Sequence, residues 1–187
     1  MNKRFISPAR PGSWRRDLLA GAAVTFLSAG CGYSVVDERA VFGPEVRIIQ
    51  LGNLENRTTE IGFEAMLTDA LQEEFVRRGV LVPQYGQGSD RAGLSLEGTI
   101  GRADIVPTAF SSVTLTLEDQ VQIGISVSVQ RLDDGKTVLD LRDLVYTERF
   151  LASADPQIYE SNKEQALRRI SARAASQIHD VLFQQRF

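Results

Sequence analysis

The chain of 187 residues carries 21 lysines and arginines against 24 aspartates and glutamates, with one histidine and one cysteine. The acidic balance argues against nucleic acid as the main partner. The lone histidine and lone cysteine exclude a His-rich metal site, a Cys/His cluster and any disulfide within the chain.

The first thirty residues read as a segment to be removed. Lys3, Arg4, Arg10, Arg15 and Arg16 form a basic head, and Leu18 to Leu27 an apolar run far shorter than the roughly 20 residues of a membrane span. Ser28-Ala29-Gly30 then lead into Cys31. The order basic, apolar, small, cysteine is that of a secretory signal, and its end resembles the lipobox of bacterial lipoproteins, in which the cysteine thiol receives lipid. Such boxes usually have leucine three residues before the cysteine, where this chain has Ser28, with Leu27 one position further back. Arg15-Arg16-Asp17-Leu18-Leu19 also resembles a twin-arginine export signal, although ordinary unfolded export is the simpler reading. By the same resemblance Gly32, in place of the aspartate that retains such proteins at the inner membrane, points to the outer membrane. Two or three acyl chains on Cys31 would anchor the protein firmly, since each buried methylene contributes about 0.8 kcal/mol.

Removing residues 1–30 leaves 157 residues with 16 basic and 23 acidic side chains, a net charge of −7. That length suits one domain with a sizeable core. The reading is a signal over 1–30, a lipid-anchored tether over 31–44 and a single domain over 45–187.

Within the domain, Val46 to Leu51 predicts a first strand, and Gly52 to Thr58 a polar turn. A helix is expected from about Glu60 to Arg78, capped by Thr58 or Thr59, with Phe63, Leu67, Leu71 and Phe75 as its apolar stripe. Gly79 is placed to end it, after Arg77 and Arg78 complement the negative helix terminus. Val80 to Val82 begins an extended stretch that Pro83 interrupts. Leu94, Leu96 and Ile100 fit another strand with Ile105 as its extension, and Gly98 and Gly101 mark a bulge or a close backbone approach.

Val121, Ile123, Ile125, Val127 and Val129 alternate with Gln122, Gly124, Ser126 and Ser128, the clearest period-two pattern in the chain. It sets one apolar face toward a core and one uncharged polar face toward water or a partner. Asp133-Asp134-Gly135-Lys136 supplies a turn, and a returning strand follows from Thr137 to about Thr147. Ser161 and Glu164 form a capping box for a last helix with the stripe Leu167, Ile170, Ala174, Ile178 and Val181. The order strand, helix, several strands, helix predicts an α+β two-layer sandwich. Its sheet is mixed or antiparallel, with two helices packed on one face.

No enzyme signal emerges. His179, the sole histidine, is expected at an exposed or helix-terminal position rather than in a dyad with Ser171 or Ser176. Glu73-Glu74 and Asp133-Asp134 read as solvated faces or turns. Gly86-Gln87-Gly88 lacks the spacing and the basic residue of a phosphate loop, and no cofactor motif is found.

Cys31-Gly32-Tyr33, the strand with Asn53 and Asn56-Arg57-Thr58 before the first helix, the helix segment Ala65 to Phe75 and the strand Leu96-Glu97-Gly98-Thr99-Ile100 occur in this order. Together they resemble the LptE family of lipopolysaccharide-assembly lipoproteins over nearly the whole mature body. The resemblance implies a two-layer α/β domain anchored in the outer membrane. It also implies two partners, the large β-barrel LptD, which such a domain plugs, and lipopolysaccharide itself.

An acidic domain handling an anionic glycolipid needs a local basic site. The candidates are Arg77 and Arg78, and Arg168, Arg169 and Arg173; both groups also read as ordinary solvated helix faces. The competing functions are an accessory lipoprotein or binding module of another envelope lipid or solute transporter, and a lipoprotein enzyme.

Overall fold

The computed structural model describes residues 42–43, 45–85, 93–110 and 116–184. The signal, Cys31 and the loop around Gly86 lie outside them. The elements run β1 (Ile48–Asn56), α1 (Phe63–Arg78), β2 (Val82–Tyr85), β3 (Gly93–Phe110), β4 (Thr116–Arg131), β5 (Thr137–Leu151) and α2 (Pro156–Gln184).

The five strands form one mixed sheet in the order β2-β1-β3-β4-β5. β1 is parallel to both of its neighbours, whereas β3, β4 and β5 form antiparallel pairs. Both helices lie on the same face, which gives the two-layer α+β sandwich.

The period-two pattern of β4 holds without exception. Val121, Ile123, Ile125, Val127 and Val129 are all buried, beneath a core that includes Phe63, Leu67, Leu71 and Phe75 of α1 and Ile170, Ala174 and Ile178 of α2. The chain joins this core before β1: the Phe42 ring packs edge-on against Phe183 at 5.6 Å, and Arg131 Nη1 donates to the Phe42 carbonyl at 2.9 Å.

Three glycines have the roles expected of them. A Cβ on Gly98 would lie 2.7 Å from the Ser126 carbonyl oxygen, so only glycine lets β3 and β4 approach this closely. Gly101 falls at a register shift between Ile100 and Arg102. Gly135, at φ 69°, closes the β4–β5 turn.

Several boundaries differ from the sequence reading. Gly52 to Asn56 is strand rather than turn, because β1 continues along β3 past a shift between Leu51 and Leu54 and buries Leu54. Pro83 lies inside β2; it is tolerated there because β2 is an edge strand, where a missing N–H costs no ladder bond.

The α1 helix begins at Phe63 behind Gly62, at φ 89° and without a side-chain cap. The Thr58 hydroxyl is spent on Asn56 instead. At its other end Gly79, at φ 67°, donates its N–H to the Phe75 carbonyl, as a glycine C-cap should.

The capping box at Ser161 is not the start of α2. The helix starts five residues earlier, where Asp155 Oδ1 accepts from the N–H groups of Gln157 at 2.8 Å and Ile158 at 3.3 Å, with Pro156 in the first helical position. Ser161 therefore sits within the helix.

This assignment separates two substitutions that the capping-box reading would rank the other way. Asp155→Ala should cost about 1 kcal/mol through lost capping, while Ser161→Ala should stay within about 0.5 kcal/mol. Denaturant melts of the two variants decide it, and a larger loss at Ser161 would contradict the observed helix start.

Candidate functional site

Among the described residues the helices cover one face of the sheet and nothing covers the other, and this second face carries the candidate site. Its centre is the polar side of β4, flanked by β3 and β5. A groove of about 570 Å³ runs over Thr99, Ser126 and Ser128 and is bordered by Glu55, Glu97 and Asp140. A second hollow of about 490 Å³ shares Thr99, Ser126 and Asp143 with it and extends over Gly101 and Gly124. Small residues thus make the floor concave, and hydroxyls line it.

The charges around this surface are organised in pairs along single strands, where residues two apart share a face. Arg57 meets Glu55 at 2.7 Å, Arg142 meets Asp140 at 2.7 Å, and Arg102 meets Asp104. The hydrogen bond from Arg57 holds the Glu55 carboxyl below its ordinary value, and Arg142 does the same for Asp140. Four carboxylates face three guanidinium groups across the two hollows. The surface is therefore polar and mildly acidic, not a basic footprint.

Asp143 has φ 51°, the one positive-φ residue other than glycine among those described, at the register shift between Ile125 and Val127. Its N–H donates to Ser126 Oγ at 3.1 Å. A non-glycine residue held in this region of backbone space persists only where its surroundings fix it, and here the fixing group is a hydroxyl of the groove floor. No local sequence pattern announces this bulge.

The arginines singled out from sequence do not form one patch. Arg77 and Arg78 both engage Glu74, and Arg78 also reaches Asp180 at 2.9 Å, tying the end of α1 to α2. Arg169 and Arg173 converge on Glu148 of β5 at 2.8 and 2.6 Å, and donate as well to the carbonyls of Arg149 and Thr147. Arg168 pairs with Glu164 one helical turn away at 2.6 Å. Asp180 lies eleven residues beyond Arg169, about 16 Å along the helix axis. Each of the five has an internal carboxylate, so an anionic ligand would have to compete with it.

Two sequence expectations are corrected here. Glu74 is not a solvated surface residue: it is 6% exposed and carries two arginines. His179 is neither exposed nor helix-terminal: it is 1% exposed, with its ring 5.2 Å from that of Phe75 and 4.5 Å from that of Phe183. Ser171 donates to the Leu167 carbonyl one turn back. Glu148 escaped the sequence reading, although its register on the helix-facing side of β5, between buried Tyr146 and Phe150, was a usable signal. Among the described residues no cluster of His, Cys, Asp or Glu is placed to hold a metal ion, and no helix is long and apolar enough to cross a membrane.

The architecture is that of a two-layer α+β domain. A lipoprotein from Caulobacter crescentus shares the fold with a TM-score of 0.53 at 12% identity, over 78% of this chain and 92% of the other. Rare lipoprotein B from Shewanella oneidensis (10% identity, 71% and 92% covered, TM-score 0.47) and lipoprotein B from Nitrosomonas europaea (11%, 82% and 89%, 0.47) are more distantly similar. No curated protein matches the chain. The sequence pattern of the family described as "LptE: Lipopolysaccharide-assembly" matches residues 46–182. The chain belongs to the LptE lipopolysaccharide-assembly family.

The Glu74 cluster has a defined pH signature. Burial by itself would raise this carboxyl, but the hydrogen bonds and charges of Arg77 and Arg78 together outweigh it and leave the group below its ordinary value of 4.5. A depressed carboxyl contributes stability that is complete above the unfolded-state value and is lost as pH falls through the folded one. Glu74→Gln should therefore be less stable than the parent at pH 7, and the difference should shrink as pH drops below about 4.5. Thermal melts across this range test it; a gap that stays constant with pH would refute the ion-pair account.

Proposed function

We propose that this protein is an outer-membrane lipoprotein, anchored through Cys31 on the periplasmic side. In this reading it is the structural and assembly subunit of the lipopolysaccharide-transport barrel LptD, and it assists insertion of lipopolysaccharide into the outer leaflet. The observation that carries the reading is the bare sheet face. Membership of a lipopolysaccharide-assembly family gives the process, and the sheet supplies a surface suited to the partner. A domain seated in a β-barrel meets a polar lumen rather than lipid. A concave face of hydroxyls, amides and mostly paired charges suits such a wall, and its excess carboxylates call for donors or cations on the partner.

The tether fits this placement. Phe42, where the chain joins the core, lies eleven positions after Cys31, with ten residues between them. Fully extended they reach at most about 40 Å, so the Phe42 end of the domain stays close to the leaflet that holds the lipid. The five candidate arginines support the fold through their carboxylate partners. Of these, Arg77 and Arg168, whose side chains are 62% and 65% exposed, keep the most surface for a glycolipid headgroup.

Copurification of the full-length lipoprotein in mild detergent tests the reading. A large β-barrel should accompany the parent in stoichiometric amount. Ser128→Trp, which fills the groove floor from the uncovered side, should lose most of the barrel while its circular dichroism melt stays close to the parent's. An inner-membrane transporter in place of the barrel, or an undiminished barrel with Ser128→Trp, would overturn it.

A further inference from the structure

The connection between β1 and α1 is fixed more firmly than a simple link requires. Asn56, at the end of β1, is its hub. The Asn56 amide donates to the Glu60 carbonyl at 2.9 Å and to Glu64 Oε2 at 2.6 Å, while its Oδ1 accepts from the N–H and the hydroxyl of Thr58 at 2.9 and 2.7 Å. The Thr58 hydroxyl accepts in turn from the Glu60 N–H, and Glu64 accepts from the Gly62 N–H. Lys163 of α2 clamps the loop from the side, 3.2 Å from Glu60 and 2.8 Å from Glu160.

At its apex the loop displays Ile61, 94% exposed, the most exposed large apolar side chain among the described residues. A loose loop would let an isoleucine fold back onto the protein, whereas this one holds it out. Beside Ile61 lies a cleft of about 360 Å³ whose base includes Met66 and Leu167 and whose rim includes Glu60, Glu160 and Glu164. Lys163 offsets one of these carboxylates and Arg168, 2.6 Å from Glu164, offsets another, which leaves the rim one charge negative. Its complement is an aliphatic side chain next to a positive charge.

We propose that the Ile61 loop and this cleft form a docking surface for an extended segment of a partner protein that carries an aliphatic residue beside a lysine or arginine. A side chain displayed by a fixed loop loses little conformational entropy on binding, which is what makes an exposed apolar residue an effective anchor. The acidic rim then selects the basic neighbour and repels acidic segments. The cleft lies between the β1–α1 connection and α2, away from the groove of the bare sheet face, and the proposal does not depend on the partner being a barrel.

The test places a photo-reactive amino acid at position 61 of the full-length lipoprotein in intact envelopes and sequences the cross-linked peptide. The expected product is one polypeptide segment with a lysine or arginine within about three residues of the adduct. Its yield should fall about tenfold in an E160K/E164K variant, as expected when rim charges set the encounter. Asn56→Ala should lower the yield while keeping the parent's circular dichroism spectrum. Ile61→Asp, which alters a solvent-facing side chain and leaves the fold intact, should remove the same protein from a copurification.

An adduct to lipid, to a second copy of this chain or to a segment without a basic residue would overturn the proposal. So would the absence of any adduct, or a yield indifferent to the rim charges. An adduct of the expected kind on a protein other than a barrel would uphold this surface and count against the barrel assignment. A copurifying barrel with no adduct at position 61 would do the reverse.

Discussion

One-sided burial of the five-stranded sheet is the constraint on which the rest of the structure depends. Every second residue of β4 from Val121 to Val129 is buried beneath the stripes of α1 and α2, so every residue between them must face away from the core. Those intervening residues are one glutamine, one glycine and two serines. A face of this kind is stable in water yet needs no covering element, and it remains available to a partner. The division is strict because the side-chain period of a strand is two, and a slip of one residue would exchange the faces entirely.

The ionic contacts follow from this layout. On the helix side, charged residues sit where α2 crosses the sheet edge and where α1 ends, and each cluster joins two elements: Arg169 and Arg173 close on Glu148 of β5, while Arg78 bridges Glu74 to Asp180. Arg173 and Arg169 donate to the carbonyls of Thr147 and Arg149, and Asn162 donates to that of Leu151. Side chains of α2 thereby occupy edge-strand carbonyls that another chain could otherwise pair with. On the bare side, arginines pair along their own strands and leave the surface only mildly acidic. Tyr159 adds a further tie between the layers: its hydroxyl donates to buried Asp119 at 2.9 Å, and burial together with that carboxylate pushes the tyrosine up to about 12.

The sequence was most legible where one local pattern decided the outcome. The stripe Phe63, Leu67, Leu71 and Phe75, the alternation of β4, the stop at Gly79 and the turn at Gly135 all need only neighbouring residues to be read. It was least legible where distant residues decide. Gly52 to Asn56 looks like a turn by composition, but pairing with β3 draws it into the sheet. Ser161 and Glu164 are a valid capping pair overridden by Asp155 and Pro156 upstream. His179 is enclosed by Phe75 from another helix and by Phe183 on its own. The polar face of the site was visible in β4 alone. Its concavity was not, because that arises from Gly101, Gly124 and the bulge at Asp143 on three different strands. Asn56 stood out in the sequence as part of a recurring motif, and only the structure shows the loop it organises.

The central claim is that the uncovered sheet face is the surface the partner occupies. Single cysteines at Gln122 and Ser128, with Cys31 carrying the proposed lipid, allow a direct measurement: the rate of thiol labelling in the free protein and in the proposed barrel complex. The account predicts that both positions label readily in the free protein and at least about tenfold more slowly in the complex, as expected for residues within a closely packed interface core. Equal rates at both positions in an intact complex would contradict it and move the partner's contact to the helix layer.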